Sequence, residues 1–247
     1  MKNILITGAS RGIGRAAAKL AGARGWSVAV NYAGNREAAE ETARLVEEAG
    51  GKAVVIQGDV SVESENIAMF DEAEKAFGPL DGVVINAGVL GRQSKLADMD
   101  VDRMKRVFDV NVLGAYITAR ECARRLARSR NGKGGSVVII SSMAAKLGAP
   151  NEYVDYAGSK GAMDTLTIGM ARELGPENIR VNAIRPGLIE TDIHAAGGDP
   201  ERAARLGAST PLGRSGTAEE VGEAILWFLS DASSYATGAI LDVSGGR

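Results

Sequence analysis

The chain has 247 residues, 45% hydrophobic and 24% charged, which is the composition of a globule able to bury a substantial core as a single domain. Its 29 basic and 31 acidic residues leave a net charge of −2, so no global attraction draws it to nucleic acid or an anionic membrane. Cys122 is the only cysteine and His194 the only histidine, which excludes an intrachain disulfide and gives no zinc-ligand set, so no metal is expected. No apolar run is long enough for a signal-peptide core or a bilayer span, and the expected address is the cytoplasm.

In chain order, short β-branched runs occupy 3–7, 27–32, 53–57, 82–86, 136–141, 180–185 and 239–243. Between them lie Ala-rich, helix-like stretches near 13–24, 35–49, 64–76, 101–129, 153–174 and 218–230. Most of the runs are continuously apolar rather than alternating, as expected for strands covered on both faces of a parallel sheet. Strand–helix alternation then implies right-handed βαβ units and an α/β, three-layer, doubly wound parallel sheet of about seven strands. The segment 190–215, with "AAGGDP" inside it, is the most irregular and reads as a lid over a ligand.

After the first strand comes "TGASRGIGRAAAKLAGARG", with Gly8, Gly12 and Gly14 between strand and helix. Glycines there let the backbone approach a pyrophosphate, and the helix start offers it unpaired N–H groups. The spacing, G-x-x-x-G-x-G, differs from the common G-x-G-x-x-G. The same residues match G-x-S-x-G, which would make Ser10 a hydrolase nucleophile. Such an elbow needs a strand deep in the sheet and a later acid and histidine, whereas this strand opens the chain. At the end of the second run, Asn31-Tyr32-Ala33-Gly34-Asn35-Arg36 holds no carboxylate before Glu37. With Arg11 in the loop and Arg36 just beyond the strand, this pattern favours the 2′-phosphate of NADP, with NAD as the alternative.

"EYVDYAGSKGA" (152–162) places Tyr156 and Lys160 four residues apart. On a helix they share a face about 6 Å apart along the axis, whereas Tyr153 is about 10.5 Å from the lysine. An ammonium beside a phenol should lower its pKa and make it a usable proton donor and acceptor. Upstream, Ser141-Ser142 ends a strand at the side of the sheet where ligands bind, and a hydroxyl there could hydrogen-bond a developing alkoxide.

Together these pieces resemble the short-chain dehydrogenase/reductase family over essentially the whole length. The resemblance rests on "TGASRGIG" (7–14), "GDV" (58–60), "NAG" (86–88), "NVLG" (111–114), "SS" (141–142), "YAGSK" (156–160), "RPG" (185–187) and "TGAILDVSGG" (237–246). It is nearest the single-domain subfamily that includes 3-oxoacyl-carrier-protein reductases and glucose-dehydrogenase-like enzymes. The family implies a Rossmann domain over 1–247, with Tyr156 as acid/base, Lys160 on the nicotinamide ribose, Ser142 on the substrate oxygen and Asn111 anchoring a proton-relay water. It implies cofactor contacts from Gly8, Ser10, Arg11, Gly12, Ile13, Gly14, Asn31, Asp59, Val60, Asn86, Ala87, Gly88, Tyr156, Lys160, Pro186, Gly187, Ile189 and Thr191. The family's usual "NNAG" reads Ile85-Asn86-Ala87-Gly88 here. It also implies a homotetramer, or else a dimer, with the helices near 101–129 and 153–174 and the last strand at interfaces.

The leading function is therefore NADP-dependent interconversion of a secondary alcohol and a ketone, acting on a small molecule with no nucleic-acid or membrane partner. The competing readings are a cofactor-binding redox sensor without turnover and the hydrolase on Ser10. Cys122 reads as a small buried hydrophobe, Tyr153 as pocket wall and His194 as an exposed residue of the lid.

Overall fold

The computed structural model describes residues 1–191, 197–199 and 201–247. His194 lies outside the described residues, as does part of the 190–215 segment. Seven parallel strands form one sheet in the order β3-β2-β1-β4-β5-β6-β7. They are β1 (Asn3–Ile6), β2 (Ser27–Tyr32), β3 (Lys52–Gln57), β4 (Gly82–Ile85), β5 (Gly135–Ile140), β6 (Ile179–Pro186) and β7 (Ile240–Val243). Helices α1 (Gly12–Ala23), α2 (Arg36–Glu48), α3 (Glu63–Phe77), α4 (Val101–Phe108), α5 (Ala115–Leu126), α6 (Ala144–Leu147), α7 (Val154–Leu174), α8 (Arg202–Gly207) and α9 (Ala218–Leu229) connect them.

The continuous apolar runs feed two cores, because successive side chains of a strand point to opposite faces. In β1, Leu5 joins Phe70, Leu126 and Met163 beneath α3, α5 and α7. Ile4 and Ile6 join Val46, Ile225 and Phe228 beneath α1, α2 and α9. Fully exposed strand residues occur only on the outer strands: β3 exposes Lys52 and Gln57, and β7 exposes Leu241 and Asp242. β1 opens the chain yet lies inside the sheet, between β2 and β4, so position in the chain is no argument against a buried first strand. The chain winds outward from β1 to β3 and then returns to β4 on the other side. This creates the switch point at which a crevice opens beyond the carboxyl ends of the strands.

The expected helix over 101–129 is not one α-helix. It divides into α4, a wide π-helical turn at Asp109–Gly114, α5 and a 3-10 turn at Arg128–Arg130. The wide turn sits where the Asn111 amide clasps the backbone of Val89, accepting from its N–H at 2.7 Å and donating to its carbonyl at 3.0 Å. Such turns re-aim one side chain without ending a helix. A neighbouring constraint is Gly114, where a Cβ would lie 2.7 Å from Val60 Cγ2.

Candidate active site

A cleft of about 1060 Å³ runs along the carboxyl ends of the strands, from the loop after β1 to the loops after β5 and β6. Thr7 organises its floor. Its hydroxyl donates to the Val84 carbonyl at 3.2 Å and accepts from the N–H groups of Asn86 at 2.9 Å and Ala87 at 3.0 Å. Asn86 returns two hydrogen bonds, to the carbonyls of Thr7 at 2.8 Å and Gly8 at 3.0 Å. The loops after β1 and β4 are thereby tied side by side. Gly8 adopts φ +62°, and a Cβ there would stand 2.9 Å from Ala87 Cα.

These features fit a dinucleotide. The Arg11 backbone is extended at the start of α1, and among the described residues no side chain caps the first N–H groups of that helix, leaving donors suited to a pyrophosphate. Gly8, Ser10, Arg11, Gly12 and Ile13 line the cleft, while Gly14 packs beneath, where a Cβ would meet the Gly8 carbonyl at 2.7 Å. Further along, Asp59, Val60, Asn86, Ala87 and Gly88 line the same cleft, as do Pro186, Gly187, Ile189 and Thr191. Asp59 Oδ1 accepts from the Ser61 N–H at 2.9 Å and the Ser61 hydroxyl at 2.7 Å, which sets the turn after β3.

Two polar side chains at this end are already engaged within the protein. Asn31 reaches the cleft but its side chain is engaged by backbone: it accepts from the Gly8 N–H at 3.0 Å and donates to the Gly58 carbonyl at 2.9 Å. It braces the glycine loop rather than offering a free amide. Arg36 is exposed, pairs with Glu40 at 2.7 Å one helical turn on, and is not part of the cleft lining, which leaves Arg11 as the arginine of that pair in the cleft.

At the other end of the cleft, Tyr156 and Lys160 project from one face of α7, with Lys160 Nζ 5.6 Å from the centroid of the phenol ring. Lys160 is buried and donates to the Ile140 carbonyl at 2.7 Å. Tyr156 is half-buried and shares a hydrogen bond with Ser142. A Cβ on Gly88 would lie 3.3 Å from Asn111 Oδ1 and 3.6 Å from Lys160 Nζ, so the two groups flank the backbone that lines the cleft. Asn111 also donates to the Ser159 hydroxyl at 3.1 Å, which in turn donates to the Tyr156 carbonyl at 2.7 Å.

The electrostatics reverse the simple expectation. Burial pushes the Tyr156 phenol up to about 12, against a smaller opposing effect of the Ser142 hydrogen bond. Burial also pulls Lys160 down to about 8, with Asp164 opposing. Desolvation of the charged form is the largest influence on each group, and the amine directs its hydrogen bond at a carbonyl. Cys122 is fully buried and desolvation pushes its thiol up, as expected of an inert apolar filler.

A family model described as enoyl-(acyl carrier protein) reductase matches residues 8–247. The chain belongs to the short-chain dehydrogenase/reductase family. This short-chain dehydrogenase/reductase is 48% identical to the uncharacterized oxidoreductase YgfF of Escherichia coli (strain K12), over 98% of both chains. It is 38% identical to the L-rhamnose 1-dehydrogenase (NAD(P)(+)) of Sphingomonas sp. (strain SKA58), over 99% of this chain and 95% of the relative. The crystal structure of levodione reductase superposes with a TM-score of 0.91 at 28% identity, covering 98% of this chain and 96% of that one. As a family member the protein is an NAD(P)-dependent oxidoreductase acting on CH–OH and C=O groups, and the hydrolase and silent-sensor readings give way.

Several residues of this short-chain dehydrogenase/reductase carry structural weight that the sequence reading did not single out. Thr7 is one; the small polar residue between an apolar strand and the glycines was its only signal. Ser141, one of the two serines named from the sequence, has a bracing part that its position did not announce: its hydroxyl bonds Asp164 at 2.7 Å and the Lys160 carbonyl at 3.1 Å. Arg185 grips Asp164 from β6, Nε at 3.0 Å and Nη2 at 2.8 Å, so α7 is pinned to the strand ends from behind the active face. Arg202 and Glu152 form a paired wall near Tyr153, and nothing in their spacing announces it.

Proposed function

We propose that the protein interconverts a secondary alcohol and a ketone with NADP(H), with Tyr156 as the general acid and base. The observation that carries this reading is convergence: hydrogen-bonded Tyr156 and Ser142 line, with Lys160, the cleft that begins at the glycine loop, and Lys160 and Asn111 flank Gly88 in its wall. Bound NADPH supplies the hydride. Tyr156 gives its phenolic proton to the carbonyl oxygen, and Ser142 holds that oxygen by a hydrogen bond. Lys160 contributes charge and a ribose contact, held in place by Ile140. Positive charge from an oxidised nicotinamide would offset the burial that now holds Tyr156 near 12. The Asn111 amide is engaged by Val89 and Ser159, so in this reading its side chain sets the Gly88–Val89 backbone against Lys160.

The NADP preference is supported by Arg11 in the cleft and by the absence of an acid at the end of β2. A homotetramer is supported by exposed Phe108, Leu113 and Tyr116 along α4–α5, Ile168 on α7 and Leu241 on the edge strand β7. The deciding experiment is Tyr156→Phe assayed with NADPH and a panel of ketones. Turnover should fall by about 10²- to 10⁴-fold with NADPH affinity kept. Retained turnover would remove Tyr156 from its role.

A further inference from the structure

The cleft that holds Tyr156 is lined by the apolar Met143, Leu147 and Leu188 and also by the charged Glu152 and Arg202. The pairing is two-pronged: Arg202 Nη1 donates to Glu152 Oε1 and Nη2 to Oε2, each at 2.6 Å. The Arg202 side chain is only 9% exposed, and that of Glu152 31%. The guanidinium carbon lies 5.5 Å from the centroid of the Tyr153 ring, and Tyr153 directs its hydroxyl to the Gly197 carbonyl at 3.4 Å. Tyr153 begins the helix that carries Tyr156 one turn later.

We infer that Glu152 sets the charge preference of the site: by filling the two-nitrogen edge of Arg202 it makes this wall neutral and selects uncharged ketones and alcohols over keto acids. This rests on the alcohol–ketone reading above. A guanidinium held close to an aromatic ring, as Arg202 is to Tyr153, is by itself a strong two-pronged receptor for carboxylate. Here that receptor is already occupied by the protein's own carboxylate. An incoming anion would find the edge taken and would face the partly exposed Glu152 at close range, where like charges repel. A neutral substrate meets neither penalty and gains apolar contact with Leu147 and Leu188. The ion pair therefore acts as a specificity device, and Glu152 is its decisive half.

The test compares benzoylformate with its methyl ester, which differ in charge at similar shape. Binding is read by calorimetry on NADPH-loaded Tyr156→Phe protein, so hydride transfer is not required. The parent should bind the ester more tightly. Adding Glu152→Gln exposes an unneutralised guanidinium, and affinity for the acid relative to the ester should rise tenfold or more. Adding Arg202→Met leaves Glu152 unneutralised and should lower that ratio. This second variant keeps the test decisive where the first fails to fold. The double variant should return close to the parent ratio. A ratio unchanged in both single variants, a parent that prefers the acid, or no binding of either compound to any variant would each overturn the inference. Failure of the alcohol–ketone reading shows separately, as wild-type protein that binds the ester but oxidises no NADPH with it.

Discussion

The Lys160 ammonium donates to the Ile140 carbonyl at 2.7 Å while standing 5.6 Å from the centre of the Tyr156 ring. Its hydrogen bond therefore goes to the sheet and not to the phenol. The lysine is positioned by β5 before any ligand arrives, and the phenol keeps the proton affinity that burial imposes.

The first prediction concerns proton affinity. Burial brings Lys160 from 10.5 down to about 8, so between those values the unfolded chain holds a proton that the folded chain has released. Stability owed to this group must rise with pH across that window, by up to about 1.4 kcal/mol per pH unit. Urea melts of wild type and Lys160→Met between pH 8 and 9.5 should diverge in that sense, and a constant difference would contradict it. Tyr156 acts with the opposite sign above its ordinary value of 10, because its folded pKa is raised to about 12. The comparison therefore stays below pH 10.

A second prediction uses absorbance of the phenolate. Without cofactor, the Tyr156 signal, taken as wild type minus Tyr156→Phe, should appear only near pH 12. Saturating NADP⁺ should move it downward, since a nearby cation favours the ionised phenol. An unmoved midpoint would separate the phenol from the nicotinamide site.

The Asn111–Val89 clasp yields a third. Asn111→Ala leaves the N–H and carbonyl of Val89 without their side-chain partners, at about 1 kcal/mol for each of these part-buried groups. The melting temperature should drop by roughly 4–10 °C. Asn111→Asp keeps the acceptor for the Val89 N–H and loses the donor, so calorimetry should place it between the two. An alanine variant as stable as wild type would show the clasp to be dispensable.

Cofactor loading tests the glycine loop and the arginines. Gly8→Ala forces a side chain into φ +62° with its Cβ 2.9 Å from Ala87 Cα. The left-handed backbone alone costs about 1–2 kcal/mol, and NADPH affinity should fall tenfold or more. Gly12→Ala should be milder, because at φ +54° its Cβ meets, among the described residues, only Thr191, at 3.5 Å. Arg11→Ala should reduce the preference for NADPH over NADH by about tenfold, the value of a charge-assisted contact, while Arg36→Ala should leave it unchanged. Equal effects from both arginines would return Arg36 to the cofactor site.

What the chain determines by itself is local. Continuous apolar runs marked all seven strands within a residue or two, because burial on both faces leaves no room for alternation. The glycines at 8, 12 and 14 and the four-residue step from Tyr156 to Lys160 were legible for the same reason: turn geometry and helical pitch act over a few residues. Tertiary structure decided what depends on partners distant in sequence. Asn31 turns inward because Gly8 and Gly58 converge on it, 23 and 27 residues away. The helix at 101–129 widens at Asn111 because Val89, 22 residues earlier, holds its amide. Arg202 reaches Glu152 across 50 residues. Proton affinity followed the same rule: spacing placed an amine beside a phenol, but desolvation in the assembled cleft, a property of everything packed around the pair, decided which way each one shifts.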